Sequence, residues 1–97
     1  MKIIARPEEM RAWSDAQRAL NKTIGFVPTM GALHAGHLSL ADAAVRENDL
    51  AAASIFVNPT QFAPHEDFNR YPRPFEEDLA KLENAGVIVV YAPTPPD

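Results

Sequence analysis

No cysteine occurs in this 97-residue chain. That excludes a disulfide framework and a thiolate zinc site, and it is compatible with a reducing cytoplasm. Long hydrophobic runs are missing too: no stretch approaches the roughly 20 apolar residues that cross a bilayer. The opening Met1-Lys2-Ile3-Ile4-Ala5-Arg6-Pro7 has too short an apolar run for a signal peptide. A basic excess is also lacking. Nine Lys and Arg stand against thirteen Asp and Glu, a formal net charge of −4, which argues against nonspecific nucleic-acid binding. ATP remains open, because backbone dipoles hold phosphates even in an acidic protein. There is no internal repeat and no low-complexity tract.

What is present is ordinary for a globular protein: 46% hydrophobic and 23% charged residues. A chain this short forms one small domain that buries about 60–65% of its unfolded surface. Strand and helix patterns alternate along it. Lys2–Ala5 reads as a first strand, and Pro7 to about Leu20 as an amphipathic helix with Met10, Trp13, Gln17 and Leu20 at helical spacing. Pro7 suits a first helical position, and Glu8 and Glu9 suit the positive end of a helix. Asn21 and Lys22 close that helix, and Thr23–Val27 follows as a buried strand that stops at Pro28.

A second helix starts near His34 or Ala35, with Leu38, Ala41 and Val45 inward, and Asp49–Val57 reads as a third strand. Residues 58–73 read as an ordered functional loop more than a linker. Pro74 opens a third helix with Phe75, Leu79 and Leu82 inward, and Gly86 stops it. Glu76, Glu77 and Asp78 are read there as charge suited to a helix start, and Trp13 as core. Val87–Tyr91 is a fourth strand. Strands two to four are apolar on both faces, which predicts a Rossmann-like parallel α/β sheet covered by helices on each side. Right-handed crossovers then bring the loops after Val27 and Val57 to one carboxyl edge, where open α/β folds bind ligands.

The loop after the second strand carries the chemistry. Val27-Pro28-Thr29-Met30-Gly31-Ala32-Leu33-His34-Ala35-Gly36-His37-Leu38 runs from a strand through a glycine into a helix start. Free N–H groups and the helix dipole at such a place attract anions. His34 and His37, three apart, share a helix face, and Gly36 leaves room for a base or sugar near the backbone. The two rings either contact phosphate or cap the helix and bond a carbonyl; the spacing favours phosphate. Donors fixed before reaction stabilise the charge that moves over phosphoryl oxygens. A metal alternative would join His34 and His37 with His65, Glu66 or Asp67, but it lacks an H-E-x-x-H arrangement and gives Gly36 no role, so no protein-held metal is expected. Gln61 is either a turn residue bonding its own loop or, through its paired donor and acceptor, a ligand for a hydroxy acid. Asn58 supports that loop or touches substrate.

His34-Ala35-Gly36-His37 resembles the HxGH signature of nucleotidyltransferases and related adenylate-forming enzymes. Pro28 to His37, then Ser54-Ile55-Phe56-Val57-Asn58-Pro59-Thr60-Gln61-Phe62, then Arg70-Tyr71-Pro72-Arg73 narrow this to the pantothenate synthetases, in order and at compatible separations. The resemblance implies ATP-dependent condensation of pantoate with β-alanine through a pantoyl adenylate. It implies that Met30, Gly31, Ala32, Leu33, His34, Ala35, Gly36 and His37 line ATP, that His34 and His37 are catalytic, and that His37 is the proton donor. It assigns Gln61 to pantoate and β-alanine, with Thr29 and Met30 at the pantoate–nucleotide junction. Tyr71 and Arg73 fall near the active-site mouth and the subunit contact. Mg²⁺ would accompany ATP, keeping waters and needing few carboxylates; a cytoplasmic homodimer is implied.

The likeness covers only the opening part of such enzymes. Their second nucleotide segment, with its lysine, the KMSKS-like loop and the small C-terminal domain have no counterpart here. The chain by itself is therefore expected to release no AMP. The alternative expectation is a non-catalytic piece that binds pantoate or nucleotide, or self-associates through an open edge at strand four or its neighbour.

Overall fold

In a computed structural model, residues 1–56 and 75–93 are described. Seven elements follow one another: β1 (Lys2–Ile4), α1 (Pro7–Ala19), β2 (Ile24–Thr29), α2 (Ala35–Glu47), β3 (Leu50–Ile55), α3 (Phe75–Ala85) and β4 (Val89–Tyr91). The strands form one sheet in the order β1-β4-β3-β2, and every pairing is parallel. The expected α/β architecture is therefore present. Helices cover both faces. On one, α2 and α3 pack over Val27, Ala51, Ala53, Ile55 and Val90. On the other, Met10 and Trp13 of α1 lie against Ile4, Ala52 and Val89.

The faces are unequal. The α2–α3 side holds the larger cluster, with Ala41 and Leu82 both fully buried. Three consecutive alanines, 51 to 53, lie buried along β3. The α1 side is thin: no residue of α1 is fully buried, so Trp13, expected in the core, is only half-buried. Leu20, expected on the inward stripe, is 64% exposed. It is the C-cap of α1, and at Asn21 the chain turns away through a positive φ of 61°. At the other end of α1, Pro7 opens the helix and Glu8 sits in its first turn. The Glu8 carboxyl is held below its ordinary range, chiefly by its backbone hydrogen bond and then by Arg6.

Two strand boundaries differ from expectation by two residues, each for a physical reason. β2 does not stop at Pro28 but runs on to Thr29. The carbonyls of Thr23 and Thr29 accept from Leu50 and Phe56 of the neighbouring chain segment, so alternate residues from 23 to 29 face β3. Pro28 lies between them, turned to the outer edge, where a missing N–H breaks no ladder bond. β4 starts at Val89 rather than Val87, because the Val87 N–H closes α3 on the Leu82 carbonyl. Gly86, at φ 101°, makes that stop. The expected strand end at Val57 and helix start at Pro74 lie outside the described residues.

β4 is interior, flanked by β1 and β3. Its neighbour β1 is one edge of the sheet, and β2 is the other. β2 is consequently not apolar-buried on both faces as expected: Phe26 is 49% exposed while Val27 is 4% exposed. The amino ends of β2 and β3 are tied reciprocally, Thr23 N–H to Asp49 Oδ2 at 2.8 Å and Asp49 N–H to Thr23 Oγ1 at 2.9 Å. That tie and the unbroken register from Ile24–Leu50 to Thr29–Ile55 bring both strands to the carboxyl edge together.

α2 approaches β2 most closely at Gly25. A Cβ there would stand 2.6 Å from Asn48 Nδ2 and 2.8 Å from the Ala44 Cβ. Gly25→Ala must push α2 off the sheet, and overpacking of this kind costs about 1–3 kcal/mol. A urea titration is expected to show a lowered midpoint with an unchanged slope; an unchanged midpoint would mean that the helix yields freely.

Candidate functional site

Thr29 ends β2 inside the protein. Its hydroxyl donates to the Ser54 carbonyl at 2.8 Å and accepts the Gly31 N–H at 3.1 Å. Beyond Met30, two residues take positive φ, 88° at Gly31 and 51° at Ala32. For alanine this left-handed conformation costs on the order of 1 kcal/mol, so something must hold it. The holder is Asp78, in the first turn of α3 and 1% exposed. Its two oxygens accept the N–H groups of Ala32 at 2.8 Å and Leu33 at 2.9 Å. Lys81, from the next turn of α3, donates its ammonium to the Leu33 carbonyl at 3.3 Å. Leu33 itself, 5% exposed, anchors the loop in the core.

The sequence reading of Asp78 as helix-start charge was incomplete. It does stand where the α3 dipole favours a carboxylate, but its main partners are 45 and 46 residues away. A helical-phase reading contained the missing signal. Asp78 sits three residues after Phe75 and four before Leu82, on the stripe that packs inward, whereas Glu76 and Glu77 do not. A carboxylate on an inward stripe needs donors, and a glycine loop at the sheet edge supplies them.

The histidines cap α2 with their rings. His34 is the N-cap, in extended conformation at φ −129°, and its Nδ1 accepts the Gly36 N–H at 3.1 Å. His37 reaches back, its Nδ1 accepting the His34 N–H at 3.2 Å. This is a capping box in which imidazoles replace the usual hydroxyl and carboxylate. The ring centroids are 4.1 Å apart with a 39° tilt. The room at Gly36, assigned from sequence to a base or sugar, is taken by the His34 ring: a Cβ there would meet its Cε1 at 3.0 Å.

Two consequences follow for anion binding. The expected cradle of free backbone N–H groups is narrowed, since the amides of Gly31, Ala32, Leu33, His34 and Gly36 all donate within the chain. The rings add donors of their own. An Nδ1 that accepts a hydrogen bond is unprotonated, so each neutral ring carries its proton on Nε2. Both Nε2–H groups then point away from the backbone that the rings have capped.

A cleft of about 400 Å³ opens at the carboxyl ends of β2 and β3, lined by Pro28, Thr29, Met30, His37, Ser54 and Phe56. It brings together three of the residues expected at the site, Thr29, Met30 and His37. His34, exposed, has its ring beside that of His37, and Leu33 lies beneath in the core. Ser54 and Phe56 were not singled out from sequence. The register that sets Ser54 opposite Pro28 and Ile55 opposite Thr29 puts them there. Gln61, Asn58, Tyr71, Arg73, His65, Glu66 and Asp67 lie outside the described residues. Among the described residues, no three His, Asp or Glu side chains converge to hold a metal ion.

A parallel sheet whose second strand turns through a left-handed loop into a His-x-Gly-His helix start defines a Rossmann-like α/β domain of the HxGH type. Residues 2–97 match the model of a family described as pantoate-beta-alanine ligase. The pantothenate synthetase of Thermotoga petrophila is 55% identical over 102 residues, covering all of this chain and 36% of its own length. Among solved structures, pantothenate synthetase from Thermus thermophilus superposes with a TM-score of 0.73 at 49% identity, over 97% of this chain and 32% of that one. A pantoate-beta-alanine ligase from Francisella tularensis, complexed with beta-gamma ATP and β-alanine, superposes with a TM-score of 0.72 at 41% identity, over 96% of this chain and 35% of that one. This chain belongs to the pantoate-beta-alanine ligase family. It spans about a third of the length of the relatives it matches.

The cap makes a prediction about stability alone. Losing an N-cap acceptor costs about 1 kcal/mol, roughly 4–8 °C of melting temperature in a domain of this size. His34→Ala is expected to show that loss and His34→Asn to recover most of it, because an asparagine oxygen caps as well. Equal melting of all three by differential scanning calorimetry would show that the ring does not cap α2.

Proposed function

We propose that this chain supplies the histidine wall of an ATP- and pantoate-binding site, in an enzyme that condenses pantoate with β-alanine to give pantothenate, AMP and pyrophosphate. In the first step the pantoate carboxylate attacks the α-phosphorus of ATP. A P–O bond forms to the acyl oxygen, the bond to pyrophosphate breaks, and pantoyl adenylate results. In the second, the β-alanine amine attacks the acyl carbon, AMP leaves with the C–O electron pair, and the amine gives up a proton. Activation replaces a poor leaving group, hydroxide, by AMP.

The observation that carries this reading is the imidazole cap, whose two Nδ1 acceptors leave an Nε2–H on each neutral ring, with His37 on the wall of the cleft at the strand ends. Donors whose rings are already locked stabilise charge developing on phosphoryl oxygens without reorganising. His37 lines the cleft and serves as the proton donor to the phosphoryl group; His34 is the second donor. Met30, Gly31, Ala32, Ala35 and Gly36 border ATP, with Leu33 holding their loop from beneath. Thr29 and Met30 meet pantoate, and Gln61 contacts pantoate and β-alanine. β3 ends one strand from the histidine loop, the Phe56 N–H still donating to the Thr29 carbonyl, which supports assigning Gln61, a few residues further along the sequence, to the same site.

Mg²⁺ supplies charge neutralisation when it arrives with ATP, held by phosphate oxygens and waters rather than by a protein cage. Cytoplasmic location and homodimeric assembly belong to the same proposal. The absence of cysteine accords with the former, and no helix among the described residues is long and apolar enough to cross a membrane.

A second reading, a non-catalytic self-associating unit, is favoured by the outer edge of β2. Phe26 and Leu40, 49% and 59% exposed, flank a groove with Gly25, Pro28 and Ala43 there. Titration with ATP and with pantoate, beside sedimentation, separates the two readings: association without binding of either ligand favours the second.

The enzymatic reading is tested in a chimera that carries this chain in place of the matching first third of the Thermus thermophilus enzyme. AMP formation dependent on ATP, pantoate and β-alanine is expected. His37→Ala should lower kcat by about 10²–10³-fold, the usual loss for a fixed transition-state donor. A folded chimera whose turnover is indifferent to His37 would overturn the assignment.

A further inference from the structure

The contacts of α3 with the histidine loop fall on three successive peptide groups, and the last of them reaches His37. The carbonyl of Leu33 accepts from Lys81 Nζ at 3.3 Å, and the N–H of that same peptide unit, belonging to His34, donates to His37 Nδ1 at 3.2 Å. The preceding peptide is held by Asp78, which takes the Leu33 N–H at 2.9 Å. The planar Leu33–His34 peptide therefore has a cation at its oxygen and an imidazole at its hydrogen. A positive group on a carbonyl polarises the amide and strengthens its N–H as a donor. The strengthened donor favours an unprotonated Nδ1, and so a proton on Nε2, in His37.

His34 is connected differently. Its Nδ1 accepts from the Gly36 N–H, which lies within the first turn of α2 and is not the peptide that Lys81 touches. The two rings, close in space, thus take their tautomers from separate sources. His37 is set from α3, and His34 from α2.

We infer that Lys81, acting through the Leu33–His34 peptide, and Asp78, fixing the two peptides before it, are positioning residues that hold His37 as an Nε2–H donor. This rests on the proposed role of His37 toward phosphate, and it adds what decides which nitrogen is presented. Asp78 is fixed for the task, with Leu82 one turn on fully buried and locking α3 in place. Lys81 lies on the surface side of the same helix, so its removal leaves the core intact.

The test is the ring ¹⁵N spectrum of the three histidines in the 97-residue chain with neutral imidazoles, with His34 as internal control. In the unaltered chain both His34 and His37 are expected as Nε2–H tautomers. Lys81→Met should lower the Nε2–H to Nδ1–H ratio of His37 by up to about twofold, the share by which one bond strengthens the next, and leave that of His34 unchanged. Asp78→Asn should move His37 the same way and speed hydrogen exchange of the Ala32 and Leu33 amides roughly tenfold or more. An unaltered His37 in Lys81→Met, or His34 and His37 responding together, overturns the inference. If Asp78→Asn unfolds, the Lys81→Met result alone decides. The spectrum contains no nucleotide, so a failure of ATP chemistry in the chimera and a failure of α3 to set His37 are separate results.

Discussion

One buried carboxylate holds the shape of the candidate site. The left-handed turn at Gly31 and Ala32 leads into two N–H groups, those of Ala32 and Leu33, and Asp78 receives both. Neither partner is stable alone. An unpaired buried carboxylate is costly to keep charged, and an alanine at φ 51° leans toward other conformations. Joined, they fasten the first turn of α3 to the loop beyond β2, across a chain separation of 45 residues. The parallel sheet makes the meeting possible, because right-handed crossovers place α2 and α3 side by side on one face. Sheet, helix start and histidine rings are thus consecutive links in one arrangement.

The capping box shows how a site reuses groups that the fold already requires. A helix start must satisfy its first N–H groups, and most chains spend a serine or aspartate on this. Here two imidazoles do so with one nitrogen each, and a ring has a second nitrogen on its far side. Under the proposed function, structural and chemical duties fall on different atoms of the same residue. Five backbone amides, which a glycine loop would ordinarily offer to an anion, are consumed in holding the rings and the turn. Positive character at the rim therefore comes from side chains whose orientation the backbone sets.

Much of this was legible in the sequence. The β-branched and alanine-rich runs, the stop at Gly86 and the acidic start of α1 all announced alternating strands and helices, and the order of motifs announced the family. What escaped was whatever depends on the spatial neighbour of a residue. Pro28 looked like a strand terminator because its missing N–H matters only if a neighbour needs it, and strand order decides that. Leu20 has the right phase for the inward stripe but falls at the cap, where the helix has already ended. Asp78 could be given a sufficient local role at its helix start, and nothing in its immediate surroundings points to a loop far back in the chain. Ser54 and Phe56 became visible as lining only through the β2–β3 register.

The proline on the outer border of β2 gives that border a polarity. Ile24 and Phe26 each offer both a hydrogen and an oxygen outward, whereas position 28 offers an oxygen alone. A strand laid alongside would find its full complement of bonds near the amino end and one short near the histidines. Its own unmatched carbonyl would be left at the mouth of the cleft, and sliding by two residues would only move that deficit into the middle of the pairing. Alignment along this border is therefore graded, with one preferred offset among those available.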